Sequence, residues 1–120
     1  MARFRLSRLA EADLAGILAV SATRWGGEGR RRYAAILLAA LRQVAADPLG
    51  PATRDRADVV RGVRGLHLRH VRGIGAEAKV RRPGHVLYYR ALAPGLIEIV
   101  RVLHERMEPA RHLGASAEEN

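Results

Sequence analysis

The chain has no cysteine and, among its 120 residues, one lysine. Without thiols there is neither a disulfide framework nor a thiolate metal site, which excludes the small disulfide-stapled secreted class and fits a reducing cytoplasm. Aromatic residues are scarce, with one Phe, one Trp and three Tyr, so little is available for stacking bases. No apolar run approaches the ~18–20 residues that a bilayer span requires. The opening "MARFRLSRLAEADLAGIL" is broken by Arg8, Glu11 and Asp13 and lacks the uninterrupted apolar stretch of a signal peptide. These absences predict a soluble, cytoplasmic, single-domain protein with no membrane partner.

What is abundant is arginine. The chain carries 21 Lys+Arg against 12 Asp+Glu, a net charge of +9, and Lys79 is its single lysine. The planar guanidinium suits bidentate contact with carboxylate or phosphate, so an acidic partner is expected, whether nucleic acid or protein. A compositional bias toward arginine and alanine explains the same numbers equally well. Residues 54–90 hold ten basic side chains against Asp55, Asp58 and Glu77, which concentrates the field in one region.

Periodicity divides the chain in two. "RFRLS" at 3–7 alternates and ends in Ser7, a helix-capping residue. Ala10, Leu14, Ile17, Leu18, Ser21 and Trp25 then recur at steps of three and four. "WGGEG" at 25–29 stops this helix, and a second, with Tyr33, Ile36, Leu37, Ala40, Leu41 and Val44 in register, runs to "DPLG" at 47–50. Beyond it the period falls to two. "VRGLHLRHV" at 63–71, "HVLYYRAL" at 85–92 and "LIEIVRVLH" at 96–104 read as strands, the last apolar on both faces and therefore central. "APG" at 93–95 joins the last two as a hairpin, while the basic, glycine-rich 72–84 reads as a long mobile loop. The predicted fold is α+β, in the order β-α-α-β-β-β, with a helical hairpin laid on a small antiparallel sheet. One domain over 1–113 and a fraying tail over 114–120 are expected.

The segments "LSRLAEADLAGI", "WGGEGRRRYAAIL", "DPLG", "GVRGLHLRHV", "HVLYYR" and "IEIVRVLHERMEPARHL" resemble the successive landmarks of the ParE branch of the ParE/RelE toxin superfamily. The likeness spans residues 3 to 113, and the ending is its most specific part. It implies the toxic half of a type II toxin–antitoxin pair that inhibits DNA gyrase and is neutralised by a ParD-like antitoxin with an acidic, amphipathic C-terminal segment. Operator DNA would be met only indirectly, through that antitoxin. By the same analogy Arg101, His104, Met107 and Arg111 form the target-directed face, with Arg64, Tyr88 and Arg90 as further candidates. Leu14, Leu18, Arg24, Trp25, Tyr33 and Leu37 are the candidates for the antitoxin groove.

Alternatives stay open. RelE-like members cleave messenger RNA on the ribosome, for which Arg64, Arg90 and Arg101 offer cations for phosphate and Tyr88 or His104 a proton carrier. A plain basic nucleic-acid-binding protein and a toxin fold that has lost toxicity are the other readings. Trp25 reads first as a packing anchor between hairpin and sheet and second as an antitoxin contact. Of Tyr88 and Tyr89, one should be core and the other free for a partner. His67 and His70, three apart on a strand, should point to opposite faces and share no metal. The glycines 62, 65, 73 and 75 lack the strand–loop–helix context and Lys-Ser/Thr ending of a phosphate loop, so no metal or other cofactor is expected.

Overall fold

Ser7 begins the helical layer as the alternation of 3–7 implies. Its backbone is extended, its hydroxyl accepts the Ala10 amide at 3.0 Å, and the same hydroxyl donates to the Val100 carbonyl at 2.8 Å. The computed structural model describes residues 3–75 and 80–113. Its elements are β1 (Arg3–Leu6), α1 (Arg8–Ala46), β2 (Arg54–Asp55), β3 (Val63–His67), a 3-10 turn (Leu68–His70), β4 (His85–Ala93) and β5 (Leu96–His104). The helix is interrupted at Gly26, where φ is 72° and ψ −173°, a conformation that glycine alone adopts without strain. Contacts reveal the reversal. The first half advances along β5 from Ser7 at Val100 to Asp13 at Val102. The second returns, from Tyr33 at His85 to the Pro48 carbonyl at Tyr89, beyond its end. The helical hairpin is therefore present, with a break of a single residue as its turn.

The strands lie in the order β1-β5-β4-β3-β2. All neighbours are antiparallel except β1, which pairs parallel to β5 from Arg3 opposite Leu96 to Leu6 opposite Ile99. β5 is an interior strand flanked by β1 and β4, as its two-sided apolarity predicts, but the middle position of the five belongs to β4. Between the Tyr88–Arg101 and Tyr89–Ile99 pairs Val100 is left over as a bulge, which reverses the facing of everything after it. Ile97, Ile99 and Val102 consequently pack toward the helices, whereas Val100 and Leu103 pack on the opposite face.

The main core joins Ile36, Ala40 and Val44 of the helix to Leu66, Leu87 and Ile99 of the sheet, all essentially inaccessible. Burying each large side chain contributes roughly 1.5–3 kcal/mol. A smaller cluster of Val63, Tyr88, Val100, Leu103 and Leu113 covers the other face, with Leu113 supplied by a helical turn at 110–113. Between the layers of charge, Glu98 is buried and bridges Arg5 of β1 and Arg90 of β4, which flank it on adjacent strands.

Three local expectations change. The strand read over 63–71 ends at His67, because Leu68–His70 winds into a 3-10 turn. That turn brings the His67 and His70 rings to 6.3 Å, since residues three apart eclipse in 3-10 geometry instead of alternating. Tyr88 and Tyr89 are both buried, at 5% and 1% exposure, where one was expected to be free, because Tyr88 packs with Leu113 of the C-terminal turn. Part of the loop read over 72–84, residues 76–79, and the tail 114–120 lie outside the described residues. Among the described residues no helix is long and apolar enough to cross a membrane, and no group of three or more candidate ligands could hold a metal.

Candidate partner-binding groove

A groove of about 860 Å³ opens where the helical hairpin turns over the end of β4 and β5. Ile17, Val20 and Trp25 of α1 line one side, and Val102 and Met107 line the other. Arg24, Arg32, Arg81 and Arg82 stand around this apolar interior. Asp13 is the carboxylate in the lining, and it is already committed to Arg101. Arg32 is paired with Glu28 at 2.8 Å, so the groove offers apolar surface together with the positive charge of Arg24, Arg81 and Arg82.

Trp25 is 59% exposed, so the packing-anchor reading gives way. It sits immediately before the Gly26 break, at the tip of the hairpin, with the Arg24 guanidinium 5.8 Å from its ring centroid. Gly29 permits this placement: a Cβ there would lie 2.3 Å from the Trp25 Cβ. The glycine just beyond the Gly26 break thus leaves room for the tryptophan at the mouth.

The groove floor is built from Tyr33, His85 and His104. The Tyr33 hydroxyl and His85 Nδ1 are hydrogen-bonded at 2.5 Å, and the rings of His85 and His104 meet edge to face at 5.3 Å. Burial pushes the His85 pKa down to about 4, helped by the neighbouring His104 and His67, so the imidazole is held neutral. Burial raises the Tyr33 pKa. Gly84 makes room for this contact, because a Cβ on it would come within 2.8 Å of His104 Nε2. Behind the floor, His67 Nε2 and Glu105 Oε1 lie 2.7 Å apart, and this bond holds the Glu105 carboxyl below its usual range.

A family model described as "ParE toxin of type II toxin-antitoxin system, parDE" matches residues 4–109. The chain belongs to the ParE toxin family. It is 35% identical over 114 residues to "Toxin ParE1" of Caulobacter vibrioides, covering 95% of this chain and 100% of that protein. It is 34% identical over 113 residues to "Toxin ParE1" of Mycobacterium tuberculosis, covering 92% and 97%. Among solved structures, a chain of the "Chromosomal ParDE TA system from P. aeruginosa" superposes with a TM-score of 0.64 at 20% identity, covering 87% of this chain and 96% of that one, a likeness of fold.

In this ParE chain the residues expected on two separate surfaces meet at the groove. Arg24, Trp25 and Tyr33 from the antitoxin set line it with His104 and Met107 from the target set. Leu14, Leu18 and Leu37 belong instead to the core cluster, Leu37 fully within it. The remaining target candidates are dispersed. Arg101 grips Asp13 through two bonds at 2.7 and 2.9 Å. Arg90 is bound to Glu98, Arg64 donates twice to Thr53 Oγ1, and Tyr88 is buried with its pKa raised by that burial. Arg111 is exposed on the C-terminal turn.

Sequence reading missed Val20, Val80, Arg81, Arg82 and His85. Val20 falls outside the three-and-four spacing of the buried face, which is itself the signal of an exposed apolar residue on a polar side. Arg81 and Arg82 fall within the basic stretch 72–84, which the sequence marks as a loop and not as part of a site. Nothing local marked His85; its role arises from register, since it pairs with His104.

Proposed function

We infer that the chain is the toxic half of a type II pair, silenced when an acidic, amphipathic antitoxin segment fills the groove, and that its target is DNA gyrase. The observation that carries the reading is the pairing, in one cleft, of exposed Trp25, Val20 and Met107 with Arg24, Arg81 and Arg82. Apolar side chains of an entering helix or strand gain by burial, and its carboxylates meet guanidinium groups at the rim. Coverage of Met107 and His104 would then hide part of the target-directed face as well.

The ribonuclease reading needs cations and a proton carrier converging on one phosphate. Arg64, Arg90 and Arg101 are each engaged by different partners, and Tyr88 is buried away from any such point. This dispersal supports a binding inhibitor over a nuclease. Inducible expression of the chain in bacteria, with growth, DNA-damage response and transcript integrity followed together, tests the proposal. Arrest with a damage response and intact transcripts supports gyrase inhibition, and a supercoiling assay with purified gyrase should then show loss of activity. Arrest with cleaved transcripts assigns the chain to the ribonuclease branch, and unimpaired growth removes the toxin reading.

A further inference from the structure

Gln43, on the second half of α1, clamps the turn that follows β3. Its Oε1 accepts the Arg72 amide at 2.9 Å and its Nε2 donates to the His70 carbonyl at 3.5 Å. His67 Nδ1 accepts the Arg69 amide at 3.1 Å from the other side. The turn is therefore a fixed platform, and what it presents is arginine.

Three hollows of about 560, 460 and 330 Å³ adjoin one another around Pro51 and Ala52, and none of their lining residues is shared with the groove. Arg42, Arg54, Arg69 and Arg72 line them, all exposed and without a carboxylate partner among the described residues. Arg56 is neutralised by Asp58 at 3.0 Å. Asp47 is the acid in the lining among the described residues. Four guanidinium groups thus face solvent on one surface, supplied by α1, β2, the 3-10 turn and the residues after it. Placing like charges together gains nothing for the fold, so the cluster calls for an external anion.

We propose that this face binds the phosphate backbone of duplex DNA directly, independently of the groove. The chemistry favours a duplex over other anions. Apolar anchors of the kind that Trp25 and Met107 provide in the groove are lacking here, where the apolar lining is mainly Pro51, Ala52 and the partly shielded Val86, so an acidic protein would find charge without a desolvated centre. Tyr88 in the third hollow is buried, which leaves the small His70 ring as the exposed aromatic group in the lining, a poor platform for the successive bases of a single strand. Arginines contacting phosphates alone give sequence-independent binding with strong salt dependence. Because the groove remains separate, an antitoxin-bound chain could hold DNA at the same time, making the expected contact with operator DNA direct as well as indirect. The proposal rests on the placement of charge and stands apart from toxicity.

The test is fluorescence anisotropy of a labelled, scrambled-sequence DNA duplex with the purified chain over a salt series. Arg69→Ala with Arg72→Ala should weaken binding about tenfold or more at low salt and flatten the slope of log K against log salt by about two. Arg42→Ala, on a different element, should flatten it by about one, which guards against a turn that fails to fold. Arg81→Ala with Arg82→Ala, at the groove, should leave affinity nearly unchanged. Equal losses in both pairs would reduce the effect to net charge and overturn the proposal. So would absence of salt-dependent binding, or competition by polyglutamate as effective as by unlabelled duplex, which would mark the face as one for an acidic protein.

Discussion

Asp13 and Arg101 are joined by two hydrogen bonds at 2.7 and 2.9 Å, and the same carboxylate accepts the Val102 amide at 3.0 Å. The relationship follows from where β1 stops. Leu6 lies opposite Ile99, so the edge of β5 beyond it has no strand to pair with. Ser7 satisfies Val100 and Asp13 satisfies Val102, and the helix thereby completes the sheet's edge. Replacing Asp13 by Ala removes an ion pair from a largely shielded guanidinium and takes the acceptor from the Val102 N–H, and should cost about 2 kcal/mol. Asp13→Asn keeps an acceptor for Val102 and should cost less. Urea midpoints of the two variants check the order, and equal values would mean that the acceptor kept by Asn adds nothing at Val102. The same geometry changes what Arg101→Ala reports: loss of toxicity in that variant must be read beside its stability.

His85 predicts an acid-sensitive fold. Its pKa is near 4 when folded and about 6.5 when unfolded. Below about pH 6.5 the unfolded chain takes up a proton that the folded chain refuses, so stability is intact above that value and declines as pH falls toward 4. The slope is about 1.4 kcal/mol per pH unit, and the loss reaches at most about 3 kcal/mol. His104 and His67 act in the same direction, while Asp13 and Glu105 oppose them. Denaturation midpoints for the parent and His85→Gln, measured near pH 7.5 and pH 5, should converge at the lower pH. A parent that is equally stable at both would remove His85 from this role.

Much of the fold is legible because it depends on periodicity. The Ser7 cap, the helix break among 25–29, the interior place of β5 and the hairpin at 93–95 each follow from local residue pattern. The turn at Leu68–His70 does not: "LHLRH" alternates as a strand should, and it bends because Gln43, distant in sequence, fastens the backbone at His70 and Arg72. The burial of Tyr88 also escapes local pattern, since Leu113 covers it from the far end of the chain. The groove was half visible. Arg24, Trp25, Tyr33, His104 and Met107 were singled out on two surfaces, and only the reversal at Gly26 and the β4–β5 register bring them to one.

Gly29 and Gly16 should answer opposite ways to the same substitution. Alanine favours a helix over glycine by up to about 1 kcal/mol. At Gly16 an added Cβ meets nothing within 4 Å, so Gly16→Ala should raise the unfolding midpoint. At Gly29 the Cβ would fall 2.3 Å from that of Trp25, forcing backbone displacement that costs roughly 1–3 kcal/mol. Thermal unfolding with tryptophan emission as a second readout checks both the sign and the movement of Trp25. A stabilised Gly29→Ala chain with unchanged emission would contradict the close approach.

Trp25 is the residue on which partner binding and folding should separate most cleanly. At 59% exposure it contributes little to the core, so Trp25→Ala should shift stability by no more than about 0.5 kcal/mol. If the antitoxin occupies the groove, the indole becomes a buried anchor, and its removal should cost about 2–4 kcal/mol of binding, roughly a thirtyfold to thousandfold loss of affinity. Trp25→Phe should recover part of this by restoring apolar area and an aromatic face for Arg24. Titration calorimetry of the parent and both variants against the antitoxin's acidic C-terminal segment measures the loss directly. Unchanged affinity in Trp25→Ala would move the antitoxin away from this groove, while weakened binding with unchanged unfolding would fix the tryptophan at the centre of the interface.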